Sequence, residues 1–208
     1  DPLLRWHAQD IRAATRLQWI GYLSTVGVCG DHQGAWVDET APLRPVSERG
    51  RRRVGAEQEW MKLADAARKA IQVFRLAGIY GPGQNQLEAL RRGEAKRIVK
   101  AGQVFNRIHV EDIAGAVLAG IGHPEATGPF NVADDLPAPP DEVIVHAAGL
   151  LGIEPPPVIA FEAAELSAMA ASFYGEVKRV SNARAKRDLG WQPIYPSYRE
   201  GLAALAKA

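Results

Sequence analysis

Two adjacent hydroxyls, Ser24 and Thr25, close a short apolar run just before a glycine-containing loop. A hydroxyl at the end of a strand can hydrogen-bond a bound molecule. The same residues also serve as turn or cap devices. His32 follows in the loop Gly30-Asp31-His32-Gln33-Gly34, where an imidazole can act as acid or donor, or stand solvated with no task. Arg49 and Arg53 are four residues apart and share a face if the segment is helical, so their guanidinium groups could grip a carboxylate or phosphate. The other reading of those two arginines is a solvated face, with Glu48 to Arg52 and Arg53 to Glu57 as i,i+4 pairs worth only ~0.3–0.5 kcal/mol each. Cys29 and His32 have a ligand-like spacing, yet two groups do not make a metal site and no second pair follows, so no metal is expected. Catalytic candidates are therefore Thr25, Ser24, Arg49 and His32.

Such groups need elements that hold them. Residues 18–25 form a run rich in aromatic and branched side chains, and residues 70–76 form another, followed by the turn signals Gly78 and Gly81-Pro82-Gly83. Between them, residues 48–69 lack proline and space Val54, Trp60, Met61, Leu63 and Ala64 as a helix does. Strand, crossover helix and second buried strand are the unit of a parallel α/β sheet. A helix over residues 3–17 precedes the unit. A helix over 108–122 with an acidic first turn at Glu111-Asp112, a strand at 130–133 and a helix over 142–151 follow it. Prolines at 137, 139, 140 and 155–157 break up the second half, with a short extended piece at 158–161 and a helix around 163–173. Asn182 and Ser197 read as N-caps of the last two helices, the first of which ends at Gly190. The expected fold is α/β: a parallel sheet with a smaller α-rich lobe over the carboxyl ends of its strands, where ligands bind in open α/β folds. Residues 1–133 fall to the sheet domain, with lobe insertions around 84–108, and residues 134–208 mainly to the lobe and the C-terminal helices.

Composition narrows the function classes. The chain has 208 residues, 47% hydrophobic and 24% charged, enough to bury a sizeable core and too apolar for disorder. Lys+Arg at 25 against Asp+Glu at 24 leaves a net charge of +1, which supplies no bulk attraction to nucleic acid or an anionic membrane. The run Arg49-Gly50-Arg51-Arg52-Arg53 lacks the interleaved aromatics of a nucleic-acid stripe. No apolar stretch reaches the 18 or so residues of a membrane span. A single cysteine cannot form an intrachain disulfide and fits a reducing, cytoplasmic setting. A small-molecule substrate is the expected partner.

Four segments carry a family resemblance. They are Tyr22-Leu23-Ser24-Thr25-Val26-Gly27-Val28-Cys29-Gly30-Asp31, then Asp38-Glu39-Thr40-Ala41-Pro42-Leu43-Arg44-Pro45, then Phe74-Arg75-Leu76-Ala77-Gly78-Ile79-Tyr80-Gly81-Pro82-Gly83. The last group is Ile108-His109-Val110-Glu111-Asp112-Ile113-Ala114 with Phe130-Asn131-Val132, Leu189-Gly190-Trp191-Gln192-Pro193 and Glu200-Gly201-Leu202. In this order the chain resembles the extended short-chain dehydrogenase/reductases, the NAD-dependent epimerase/dehydratase superfamily. The resemblance implies that the α/β fold is the C-terminal part of a Rossmann-like parallel sheet with a smaller α-rich substrate-binding lobe, and that the cofactor is NAD or NADP, with Leu76, Ala77, Gly78, Ile79 and Tyr80 beside the nicotinamide and the Tyr80 ring as a wall. Thr25, and less so Ser24, matches the family hydroxyl that meets the substrate carbonyl.

Two departures mark an atypical branch. The family's Gly-x-x-Gly-x-x-Gly turn for the pyrophosphate belongs upstream of the first helix, so the sequence is expected to begin inside a longer protein. Where the family has Tyr-x-x-x-Lys, the positions counted from Pro45 are Arg49 and Arg53, and a guanidinium with a pKa above 12 does not exchange protons near neutrality. Arg53 then stands at the cofactor-binding lysine's position. Sugar-nucleotide epimerases tend to place a diphosphate-binding arginine where Phe105 stands, and Arg107 two residues on faces the other way in an extended segment. His109 is expected to bond locally near a helix start, without chemistry. The resemblance implies an NAD(P)-dependent oxidoreductase or epimerase-like enzyme; the alternative is a catalytically silent NAD(P)-binding sensor or partner-binding protein. It also implies a possible homodimer through the two long helices, one of them residues 48–69.

Overall fold

The computed structural model describes residues 1–207. Helix α1 (Pro2–Ala13) starts at Asp1, whose carboxylate accepts from Leu3 N, and Pro2 sits in its first turn, where a missing N–H costs nothing. Lys69 closes the connection after α1 by donating to the carbonyls of Ala14 (2.7 Å) and Leu17 (3.0 Å). Strand β1 (Trp19–Thr25) follows, then a 3-10 turn (Val26–Val28), a two-residue strand β2 (Trp36–Val37) and the long helix α2 (Glu48–Ala66) capped by Ser47. Strand β3 (Ala70–Leu76) completes the unit and pairs with β1 in parallel, Trp19 opposite Ala70 and Thr25 opposite Leu76. The expected strand, helix, strand order is thus present.

Beyond β3 come β4 (Gly78–Tyr80), α3 (Gln86–Arg91), β5 (Arg97–Val99), β6 (Arg107–His109), α4 (Val110–Gly122) and β7 (Gly128–Val132). β7 pairs in parallel with β3, giving the order β1-β3-β7 with β3 in the middle. A middle strand is covered on both faces, and β3 is buried from Ile71 to Leu76. The second half adds α5 (Pro140–Leu151), β8 (Val158–Ala160), α6 (Ala168–Tyr174), β9 (Arg179–Val180), α7 (Ala183–Leu189) and α8 (Tyr198–Lys207). Three further parallel pairs form, β4 with β6 within the first half, and β2 with β9 and β5 with β8, which knit the halves together.

Side-chain packing explains these pairings. One apolar cluster joins Phe74, Leu76, Phe130 and Val132 of the sheet to Ile113 and Ala116 of α4 and to Val180, Ala185, Leu189 and Trp191. Full burial of a side chain the size of Phe74 contributes ~1.5–3 kcal/mol. A second cluster gathers Tyr80, Leu87, Leu90, Val143, Ala147, Tyr198 and Leu202, so the last helix packs with α3 and α5. A third packs Ile20, Ile71 and Val73 against Trp60 and Leu63 of α2. Gln72 explains one glycine: its Nε2 donates to the carbonyls of Gly120, His123 and Ala126, and a Cβ at Gly120 would lie 2.1 Å from its Oε1.

Three expectations shift. The helix expected from residue 108 begins at Val110, because residues 107–109 are claimed by pairing with β4, and His109 caps the helix by accepting from Glu111 N. Asn182 precedes α7 as expected but does not cap it; its amide reaches across to Ala133 O and Asp135 instead. A 3-10 turn at Phe161–Ala163 occupies the start of the helix expected around 163–173, and α6 begins only at Ala168. Among the described residues no helix is long and apolar enough to cross a membrane.

Candidate active site

Thr25 and Leu76 are register partners, so β1 and β3 end level with one another. The chain leaving β3 stays anchored, with Ala77 N donating to Val132 O and Gly78 N to Asn106 O, both 3.0 Å. Gly78 and Ile79 are nevertheless exposed, Ile79 to 48%, which leaves an open step at the carboxyl ends of the strands. Half-buried Thr25 accepts from Gly27 N at 3.1 Å. That bond uses the hydroxyl oxygen and leaves the O–H free to donate.

Its neighbour points the other way, as alternation along a strand requires. Ser24 is buried and its hydroxyl donates to Glu57 Oε1 at 2.5 Å. Glu57, fully buried on α2, also accepts from Arg75 Nε (3.2 Å) and Nη2 (2.8 Å). Arg75 Nη1 reaches Glu39 O, and the Glu39 carboxylate, pushed up in pKa mainly by burial, accepts from Asn131 N at 2.7 Å. Ser24 therefore belongs to a sealed network joining β1, α2 and β3, with Glu39 extending it to β7, and does not face the open step.

Arg49 is exposed in the first turn of α2, beside Gly50, which packs on the 3-10 turn closely enough that a Cβ would lie 3.3 Å from Gly27 O. Arg51 and Arg52 both bond Glu48 at 3.0 Å, so this part of the solvated-face reading holds. The expected Arg53–Glu57 pair does not form, because Glu57 is turned inward to Arg75. Arg53 instead donates to Leu23 O (2.8 Å) and to the Tyr22 hydroxyl (3.3 Å), which holds it at the end of β1. His32 folds back on its own loop, its Nε2–H donating to Cys29 O at 3.1 Å. Tyr80 lies in the second apolar cluster, 4% exposed, edge-on to His109 and with its hydroxyl toward Ser197 O. Burial, and the nearby Asp134, push its pKa up, so the ring packs the core and does not line the step. Leu76 and Ala77 are buried beneath it.

A second ion pair lies at the same end of the sheet. Residues 176–180 cross over the loop after β1: His32 N and Gly34 N both donate to Val177 O, and Val177 N donates to Asp31, whose pKa is lowered mainly by that bond. Lys178, 6% exposed, donates from Nζ to Gly30 O (2.9 Å) and to the Glu176 carboxylate. The side chains of Gln103 and Asn106 fix this strap, bonding Glu176 O, Lys178 O and Val180 N. The sequence pairs Glu57 with Arg53 and not with Arg75, and it singles out neither Arg75 nor Lys178 as a site residue. Two signals were present: Arg75 is a charge inside an apolar run, and Glu57 falls on the helical stripe with Trp60 and Ala64. Lys178 carried none, being one of 25 basic residues in a polar stretch.

Comparison with known proteins places this arrangement. No family model matches the chain. A solved structure of a functionally unknown conserved protein from Silicibacter pomeroyi DSS is 50% identical and superposes with a TM-score of 0.91 over all of this chain and 72% of that one. The UDP-glucuronic acid 4-epimerase of Bacillus cereus, solved with NAD, shares the fold at a TM-score of 0.75 and 16% identity, over 97% of this chain and 65% of that one. The expected α/β fold around a parallel sheet is therefore shared with an NAD-bound enzyme. Among curated relatives, a 3-diazoavenalumate denitrifying reductase of Streptomyces sp is 34% identical over 166 residues, 72% of this chain and 51% of that protein. The chain spans about half the length of the curated relatives it matches.

Proposed function

We propose that the chain forms the substrate-facing part of an NAD(P)-dependent oxidoreductase that acts on a small molecule bearing a carbonyl or an equivalent acceptor. One observation carries this reading: the unspent O–H of Thr25 lies at the end of β1, level with Leu76, where β3 ends and the chain runs on into the open Gly78–Ile79 step. The step fits the nicotinamide end of a dinucleotide, since Gly78 lets a flat ring approach the backbone and exposed Ile79 offers it an apolar flank. Leu76 and Ala77 support that step from below. Arg53, held by Leu23 O and Tyr22, has further N–H donors for ribose hydroxyls. When bound, such a cofactor supplies or accepts a hydride. Thr25 orients the substrate oxygen, and Arg49 holds an anionic group of the substrate.

The relative named as a reductase supports a reduction over an epimerisation. Arg107 supports a substrate other than a sugar nucleotide: it is buried, and its Nη1 donates to Phe105 O and Ala138 O, so it is not free to hold a diphosphate. The buried thiol of Cys29 suits a reducing cytoplasm. The packed helices α1 and α2, with Trp6 and Leu3 exposed on the first, are the face through which two copies would pair. Arg49 in place of a phenol favours the second reading, a cofactor-binding protein without turnover. Fluorescence titration of the full-length protein with NADH and NADPH, then assay against aldehydes, ketones and aromatic acids, decides between them. Binding with turnover supports the first reading and binding alone the second. No binding overturns both.

A further inference from the structure

If Arg49 cannot exchange a proton, a reductase needs another acid at this end of the sheet, and the strap over it carries one. Lys178 Nζ lies 2.9 Å from Gly30 O, in the loop that begins where β1 ends, and against the Glu176 carboxylate. Buried Cys29 feels the charges of Lys178 and Glu176 as well as those of Arg75 and Glu57, so both ion pairs flank the same few residues past Thr25. An ammonium has three N–H donors, and two of Lys178's are used. No acceptor for the third is present among the described residues. The side chain is 7% exposed and Glu176 12%, enough to touch a bound molecule and to reach water through the carboxylate. The strap that presents this ammonium is fixed at every second residue: Lys100 donates to Tyr174 O, Gln103 to Glu176 O and Asn106 to Lys178 O. Burying a lysine and a glutamate together is costly compared with apolar packing. A buried cation and carboxylate held this closely, with a donor left over, are the kind of groups found where chemistry is done.

We propose that Lys178 is the catalytic proton donor of this site, with Glu176 as the positioning carboxylate that holds its ammonium and relays a proton back to it. This rests on the oxidoreductase reading. As a hydride from the reduced nicotinamide cofactor adds to the substrate carbon, the π pair of the C=O bond passes to oxygen. That oxygen, held by the Thr25 hydroxyl, takes a proton from Lys178 Nζ. The neutral amine then recovers a proton from water by way of Glu176, and the products are the alcohol and the oxidised cofactor. An arginine at position 178 keeps the charge and the donors but has no proton to release near neutral pH.

The test uses the full-length protein with 4-nitrobenzaldehyde as the carbonyl probe. Lys178→Ala and Lys178→Arg are each expected to lower kcat by about 100-fold or more, the lower end of what a positioned acid contributes. The NADH or NADPH dissociation constant stays within about twofold, and methylamine restores part of the rate of Lys178→Ala and none of that of Lys178→Arg. A Lys178→Arg enzyme at wild-type rate would show that the charge suffices and overturn the proposal. A second readout needs neither cofactor nor turnover. In wild-type protein with 15N-labelled lysine, the ammonium resonance absent from Lys178→Arg is expected to shift when 4-nitrobenzyl alcohol, the product, is added. No shift places Lys178 outside the site and overturns the proposal even if the enzyme is active. A wild-type protein that binds cofactor and reduces nothing sinks the oxidoreductase reading on which the proposal rests.

Discussion

Two ion pairs flank the end of β1, and they are built differently. Arg75 and Glu57 are 4% and 0% exposed, meet through two guanidinium nitrogens, and sit on a central strand and a long helix. Ser24 donates to the same Glu57 oxygen that Arg75 Nε approaches at 3.3 Å, so little of the carboxylate's acceptor capacity is left over. Lys178 and Glu176 sit on a strap outside the main sheet, stay slightly open to solvent, and leave one N–H unspent. The first pair holds elements together, while the second offers a proton. Two buried ion pairs can thus be alike in burial and unlike in spare hydrogen-bonding capacity, which is what a group needs to serve a bound molecule.

The largest expected effect tests the sealed pair. Arg75→Met strands a fully buried carboxylate and should lower the unfolding free energy by about 3–5 kcal/mol in urea titration. Combining it with Glu57→Leu should restore much of that loss, and no recovery would show that the pair does more than satisfy itself. A carboxylate without such a partner sharpens the point. Asp134 is buried with one oxygen unpartnered, and burial raises its pKa from 3.8 to about 7. The folded state therefore holds a proton that the unfolded chain gives up near 3.8. The stabilisation this brings is complete below that pH and is lost as pH rises through about 7. Unfolding free energies from urea titrations between pH 4 and 8 should show a decline of roughly 4 kcal/mol that Asp134→Asn removes. Lys178→Met, on the more open pair, should cost only about 1–2 kcal/mol in the same titration. A loss as large as that of Arg75→Met would erase the contrast drawn between the pairs. Smallest is Arg49→Ala, expected to change stability by less than about 0.5 kcal/mol, since the residue is exposed. It should raise KM for an anionic aromatic aldehyde several-fold and leave cofactor affinity unchanged. Equal loss of both would remove Arg49 from the substrate side.

Much of this was legible in residue order. The strands at 19–25 and 70–76 and the helix between them follow from runs and periodicity, and Gly152 and Gly190 end their helices in the left-handed region that glycine favours. Short strands such as β4, β6 and β9 were not legible, since a two- or three-residue piece is a strand only if a partner far along the chain bonds it. The placement of Thr25 was legible; that of Tyr80, drawn into the second apolar cluster by α8, was not.

Residue types and spacing by themselves determined the parallel unit, the hydroxyl at its end and the absence of a phenol at position 49, because period, chain stiffness and side-chain chemistry are local properties. Only the tertiary structure decided that Ser24 turns inward to Glu57, that Arg53 bonds Leu23 O instead of its helix neighbour, and that Lys178 arrives beside Gly30 from 148 residues away. Those choices depend on which buried donors and acceptors find partners once the chain has closed on itself. No distance along the sequence encodes that competition.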